Sequence, residues 1–360
     1  ATSLHYAPLV SEATPSYRQP RTQVRVVIDV TPLTRPGSDR GDGRYVRTVL
    51  LAAEREGFRV AQLCLPPRRG RTQHVYDVWD RQRRLGRMEY EVFHATNPYM
   101  GAVRTRGRNV VSVLDLIPLE LDSYRQLGLN ARLFLKGLVP RADRIVALSR
   151  FTAGRIVEIL GVPEHRIVVA SLPPASIFQP EPRHGVLEWL ARRGIRHPYV
   201  VAVADGRVRD PRKRVEWLPV IGRIMQRAGS QLVVAGSESQ RFFRADDHVI
   251  AVGRLSDADL ARLFGAARAF VYTSAYEGQG LPPLEAMACG TPVVAMRNSA
   301  ISEVVGDGGI LIAESKRADV TAINELATAC VALVHDDSER SKLSRVALRQ
   351  SHRFTLSAFG

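Results

Sequence analysis

Short apolar runs rich in β-branched residues alternate along this chain with longer segments whose apolar positions recur at helical spacing. Runs of the first kind, bounded by turn residues, predict buried strands, and segments of the second kind predict amphipathic helices. The strand-like runs are Val24 to Val30, Phe58 to Leu65, Val92 to Ala95, Val110 to Leu116, Arg141 to Ser149 and Ile167 to Ser171. They resume with Tyr199 to Ala204, Gln231 to Gly236, His248 to Val252, Phe270 to Tyr272 and Pro292 to Ala295. Helical patterns sit between or after them, at Tyr45-Val46-Val49-Leu50, Val215 to Arg227, Leu284 to Cys289, Leu326 to Val334 and Lys342 to Leu348. Alternating strands and helices predict an α/β fold with parallel sheets. Pro173 to Pro182 carries prolines and little periodicity, and reads as a linker between two domains.

The stretch from Ala269 to Ala295 holds the densest candidate chemistry. After the strand Phe270 to Tyr272 comes a turn, Glu277-Gly278-Gln279-Gly280. Pro282 and Pro283 suit the first turn of a helix, and Gly290 is placed to end it. Gly278 and Gly280 let backbone N–H groups approach a ligand closely, and a helix start favours a phosphate. Glu277 and Glu285, eight positions apart, are suited to accepting hydrogen bonds from hydroxyls: Glu277 from a sugar, Glu285 from a ribose. The plainer reading is a solvated loop carboxylate followed by a helix with an acidic first turn.

The run Tyr276 to Val294, YEGQGLPPLEAMACGTPVV, resembles the E-x7-E signature of the retaining glycosyltransferases of family 4 (group 1), which include bacterial mannosyltransferases. Gln279 stands where many relatives carry Phe. The resemblance implies a GT-B architecture, in which two Rossmann-like domains present parallel sheets to a central cleft. The domains are then an N-terminal extension over 1–23, an acceptor domain over 24–182, a nucleotide-sugar domain over 197–345, and a segment over 346–360 that crosses back. It implies that Arg212 and Lys213 grip the donor diphosphate, that Glu277 and the backbone of Gly278, Gln279, Gly280 and Leu281 hold the sugar, and that Glu285 holds the ribose. Gly43, in the glycine turn after the first strand, and Gly253, near the nucleobase, are carried over as substrate-binding residues. Relatives commonly read V-H-D-L where this chain has Leu114 and Asp115, so the usual His is replaced. Either His94, Asp115 or a backbone group does its work or the transferred sugar is held differently, the alternative for His94 being a buried residue satisfied by a neighbour. Asp257-Ala258-Asp259 matches a metal-binding D-x-D string, but Ser256 with Asp259 three residues on is better explained as a helix start. No metal and no cofactor are expected beyond the donor, a GDP- or UDP-sugar.

Composition adjusts this picture in three ways. The length of 360 residues and hydrophobic fraction of 45% suit two ordinary domains. Cys64, Cys289 and Cys330 form no metal or disulfide pattern, and Cys64 and Cys289 are expected in the core. The first 23 residues lack a secretory pattern, and a cytoplasmic enzyme, at the inner face of the membrane, is expected. The net charge of +15, carried by arginine except at Lys136, Lys213, Lys316 and Lys342, favours anionic partners. Arg68 to Arg87 interleaves seven arginines with Val75, Tyr76, Val78, Trp79 and Leu85. This basic amphipathic helix either packs its stripe on the core or rests on an anionic membrane, as a lipid-linked acceptor would require. No nucleic-acid motif accompanies it. The competing classes are a basic nucleic-acid- or anion-binding protein, a GT-B domain that binds without transfer, and a dinucleotide oxidoreductase. The last needs G-x-G-x-x-G after the first strand, which the loop after Val30 lacks.

Overall fold

A computed structural model describes residues 24–34, 41–66, 73–101, 104–121, 124, 129–180, 185–204, 210–314 and 319–359. The expectations for residues 1–23, for Arg207 and Arg209, and for Arg68 to Arg71 lie outside them.

Two parallel six-stranded sheets organise the described chain. The first contains β1 (Arg25–Asp29), β2 (Arg59–Leu63), β3 (Val92–Ala95), β4 (Arg108–Val113), β5 (Arg144–Ala147) and β6 (Ile167–Val169), in the order β2-β1-β3-β4-β5-β6. The second contains β7 (Tyr199–Val203), β8 (Gln231–Ala235), β9 (Val249–Gly253), β10 (Ala269–Tyr272), β11 (Val293–Arg297) and β12 (Gly309–Ala313), in the order β12-β11-β10-β7-β8-β9. Central strands such as Tyr199-Val200-Val201 and Ala269-Phe270-Val271 are buried on both faces, as continuous apolar runs in a parallel sheet require. Each sheet has a buried apolar cluster on each side, so the molecule has two separate cores.

Helices cover both faces. Those bearing on the site are α1 (Gly41–Arg55), α2 (Gln73–Leu85), α3 (Arg150–Leu160), α4 (Asp257–Ala266) and α5 (Leu281–Ala288). Ser149 caps α3, its hydroxyl accepting from Thr152 N, and Ser256 caps α4 by accepting from Asp259 N. The D-x-D string therefore lies in a capped first turn. The helix α1 starts at Gly41, so Gly43 is a buried residue of the first turn and not part of a loop. Cys289 is buried but Cys64 is exposed, against expectation. It follows β2, the edge strand of the first sheet, whose Arg59, Ala61 and Gln62 also face solvent. At the C-terminal end Leu356–Phe359 reaches back to α1, and the Phe359 ring meets Tyr45 edge-on at 6.0 Å. No described helix is long and apolar enough to cross a membrane.

The two halves touch closely. A Cβ on Gly278 would lie 1.9 Å from Leu114 O, so only glycine allows this approach of two backbones. Ser149 Oγ donates to Gly278 O at 2.7 Å, and Tyr276 OH donates to Glu120 at 2.9 Å. Glu303 of the second half accepts from Arg150 N and Phe151 N, placing a carboxylate on the positive end of α3.

Candidate functional site

Strand order in the second sheet reverses between β7 and β10, and ligands of open α/β sheets bind where the loops leaving such neighbours diverge. The loop after β7 ends in Asp210-Pro211-Arg212-Lys213. Asp210 fixes its shape by accepting from Arg212 N at 3.1 Å and from Arg212 Nε at 3.0 Å. The loop after β10 carries Thr273 to Gly280 and runs into α5. The two loops are laced together: Thr273 Oγ1 donates to Lys213 O at 2.6 Å and Ala275 N to Arg212 O at 2.7 Å.

Glu277 is the centre of this arrangement. Its Oε1 accepts from Lys213 Nζ at 2.5 Å, Tyr272 OH at 2.7 Å and Ser274 Oγ at 2.7 Å, and its Oε2 accepts from Arg212 Nη1 at 3.1 Å. Burial works against the ionised carboxylate, but the Lys213 and Arg212 cations outweigh it and hold Glu277 down at about 2. It is ionised at neutral pH, and while both cations hold it, it is a weak proton acceptor. Burial opposes the Arg212 charge too, yet Glu277 and Asp210 raise its pKa further above the ordinary value. Tyr272 is pushed well above the usual phenol range by burial and by the adjacent Glu277 charge.

The cluster opens onto a cavity of about 560 Å³ between the halves, lined from the first half by Asp42, Arg44, Leu114 and Asp115. Asp115 faces Arg212 and Glu277 across it. Burial raises its carboxyl to about 6, against the Ile117 N–H that donates to it and favours its charge. Gly278, Gln279, Gly280, Leu281 and Glu285 line the same cavity. Among the described residues no group of His, Cys, Asp and Glu side chains is placed to hold a metal ion.

Three predicted site residues do not line this cavity: His94, Gly43 and Gly253. His94 Nε2 lies 2.7 Å from Ser112 Oγ, which also meets Tyr45 OH at 2.6 Å. Burial lowers its pKa to about 4, so this half-buried imidazole is neutral at pH 7. Gly253 packs against Gln240. Two others line the cavity with their side chain or missing Cβ committed elsewhere. The Gln279 amide exchanges two hydrogen bonds with the Leu172 backbone, at 2.9 and 2.7 Å, leaving only its backbone for a ligand. The missing Cβ of Gly278 admits Leu114 O, not a ligand atom. Glu285 is buried and ion-paired with Arg44 Nη1 of α1.

Sequence reasoning missed Tyr272, Ser274, Asp210, Arg44 and Ser299. Ser299, at φ 40°, accepts from Glu277 N at 2.9 Å, and Arg214, at φ 47°, follows Lys213 directly. Left-handed non-glycine residues on both sides of the cluster mark stored strain. Nothing in composition signals it. Tyr272 was legible only as a strand residue, although its place as the last residue of β10 aims its hydroxyl at the crevice.

Fold and site together define a two-domain α/β protein whose cleft sets paired cations and carboxylates in front of a helix N-terminus. Two family models match: glycosyl transferase 4-like domain over residues 12–173, and glycosyl transferases group 1 over residues 198–336. The chain belongs to the group 1 glycosyltransferases, with the GT-B fold. It is 29% identical over 228 residues to O-antigen chain mannosyltransferase B of Escherichia coli, covering 59% of this chain and 57% of that protein. It is 27% identical over 266 residues to the serotype-specific mannosyltransferase WbdA of Escherichia coli, covering 67% of this chain and 31% of that one. The chain thus matches little more than half of the first relative's length and under a third of the second's. The fold is shared with Anabaena HepE, solved in complex with UDP-glucose, at a TM-score of 0.65 and 16% identity, covering 93% of this chain and 97% of HepE.

Proposed function

We propose that this protein moves a hexose, mannose by preference, from a GDP- or UDP-sugar to a glycan or lipid-linked acceptor in cell-surface polysaccharide synthesis. Transfer retains the anomeric configuration and needs no metal. Family membership, the mannosyltransferase names of two relatives and the UDP-glucose bound to HepE support this reading. The observation that carries it is the convergence of Arg212 and Lys213 on Glu277 at the sheet's switch point.

The donor diphosphate lies before the N-terminus of α5, its charge met by the helix dipole and by Arg212 and Lys213. As the bond between sugar C1 and the phosphate oxygen breaks, the electron pair leaves with the diphosphate. Two fixed cations stabilise that growing charge more than the ground state. As the cations turn to the phosphates, Glu277 is freed to accept from sugar hydroxyls, with Tyr272 and Ser274 holding its orientation. The acceptor oxygen attacks C1 on the face the diphosphate leaves, and its proton passes to the departing phosphate oxygen. Asp115, from the first half, faces that point and accepts a hydrogen bond from a neighbouring hydroxyl of the acceptor, which it orients for attack.

Acceptor delivery involves the membrane. On α2, Tyr76 and Trp79 are exposed and Arg83 lies over the Trp79 ring at 5.7 Å, a basic surface with aromatic anchors suited to anionic headgroups. The protein accordingly works in the cytoplasm against the inner face of the membrane.

A thermal-shift screen with GDP, UDP, ADP and their sugar conjugates, with and without EDTA, tests the donor. Stabilisation by one diphosphate and its sugar, followed by an NMR assignment of the product's anomeric configuration, is the expected result. Stabilisation without turnover identifies a binding-only GT-B protein. No stabilisation, beside salt-sensitive binding to RNA or DNA, identifies a basic nucleic-acid-binding protein.

A further inference from the structure

Arg44 stands where three parts of the chain meet. It lies in the first turn of α1, in the N-terminal half. Its Nη1 is ion-paired with Glu285 on α5 and its Nη2 reaches Asp257 on α4 at 3.0 Å, both in the C-terminal half. Its guanidinium also sits 5.6 Å from the centre of the Phe178 ring, in the linker between the halves. The Glu285 side chain is 5% exposed and that of Arg44 23%, so this is a shielded pair bridging the cleft and not a solvated surface contact.

Arg44 also lines two adjoining cavities, the one of about 560 Å³ that holds Lys213 and Glu277 and a second of about 1260 Å³, their common wall being completed by Leu172, Arg254, Leu255 and Leu281. The larger cavity is walled by Phe178, Leu255, Asp257 and His352. Resting on the donor reading above, a ligand with its diphosphate at Lys213 and its ribose at Glu285 continues past Arg44 into the larger cavity. The ribose hydroxyls and the guanidinium compete for the same carboxylate.

We propose that Arg44 is a donor-displaced latch. In the ligand-free protein it neutralises the buried Glu285 carboxylate, whose Oε1 has no hydrogen-bond partner, and pins α1 to α4. A nucleoside diphosphate replaces it at Glu285, so that ribose recognition frees α1 from its ties to α4 and α5. Arg44 is thus a positioning residue. It sets the affinity for the nucleoside part of the donor and couples that binding to the domain arrangement, and it has no part in the bond-breaking step.

Calorimetry with GDP and UDP on the full chain tests this. In Arg44→Ala the diphosphate that the wild type binds is expected to bind about tenfold tighter, the fold-change set by losing one charge-assisted competitor. In Asp257→Asn, which leaves Glu285 and the cavity wall in place, it is expected to bind about threefold tighter, because the Asp257 carboxylate is more than half exposed. The ligand-free Arg44→Ala protein should also melt below the wild type and gain more from saturating ligand. Diphosphate binding by Arg44→Ala alone, with none detectable in the wild type, would equally support the latch. Affinity that is unchanged or weaker in both variants overturns it while leaving the donor reading intact. Absence of diphosphate binding in the wild type and both variants overturns the donor reading and the latch together.

Discussion

Lys213 Nζ lies 2.5 Å from Glu277 Oε1, tying the loop after β7 to the loop after β10. Each is the counter-ion of the other across the crevice where a phosphate would sit. A carboxylate in an anion site looks self-defeating from sequence. Here it holds the cations in place until the anion arrives.

Glu277→Ala should abolish nearly all transfer. It leaves Arg212 and Lys213 facing each other in a partly buried site, and loss of one partner of a buried pair costs about 3 kcal/mol. Chemical denaturation beside a turnover assay checks both effects. Near-normal turnover would remove Glu277 from the mechanism.

Replacing Lys213 by Ala should lower kcat by about 10²- to 10³-fold with a smaller rise in donor KM, because the cation acts on charge that grows as the bond breaks. An effect confined to KM would make Lys213 a ground-state binder only.

Asp115 and Glu277 predict opposite pH behaviour. With Asp115 raised to about 6, kcat/KM should fall as pH drops through about 6, and this limb should vanish in Asp115→Asn. Raised above its unfolded value of 3.8, Asp115 contributes stability present below that value and lost as pH rises through about 6. The Asn variant should therefore be the more stable protein at pH 8. Glu277 is lowered from 4.5 to about 2, so its contribution is complete above 4.5 and disappears as pH falls towards 2. Equilibrium unfolding between pH 2 and pH 8 separates the two.

Gly278→Ala should loosen the join between the halves, since the new Cβ meets Leu114 O at 1.9 Å and backbone cannot yield cheaply. Reduced activity with a larger radius of gyration in small-angle scattering is the expected outcome. An unchanged radius with full activity would mean that the two loops separate without consequence.

Trp79→Ala and Arg83→Glu should each weaken binding to vesicles containing anionic lipid while leaving binding to neutral vesicles unchanged. Turnover of a soluble acceptor analogue should persist in both. Vesicle binding unaffected by either change would assign α2 to the ordinary protein surface.

All the described strands but β12 (Gly309–Ala313), most helices and the family were legible in the sequence, because they rest on local periodicity and on one contiguous run from Tyr276 to Val294. The N-cap Ser256 was legible for the same reason: the cap and the N–H that donates to it are three residues apart. Cys64 was misread because an apolar run does not reveal that its strand lies at a sheet edge. His94 was left open between two roles, and only the tertiary structure shows it half-buried against Ser112, eighteen positions on, outside the lining of the cavity.

What the sequence determined by itself is therefore the alternation of strands and helices, the linker, and the residue types that surround an anion. Tertiary structure alone decided how those residues are used. Gln279 serves the Leu172 backbone, the missing Cβ of Gly278 admits Leu114, Glu277 gathers donors from two loops, and Arg44 reaches Glu285 from the other half. Each of the last three joins residues at least sixty positions apart, and whether they meet depends on how two separately folded sheets face each other. That orientation is set by packing and by a few exchanged hydrogen bonds, which leave no periodic trace in the chain.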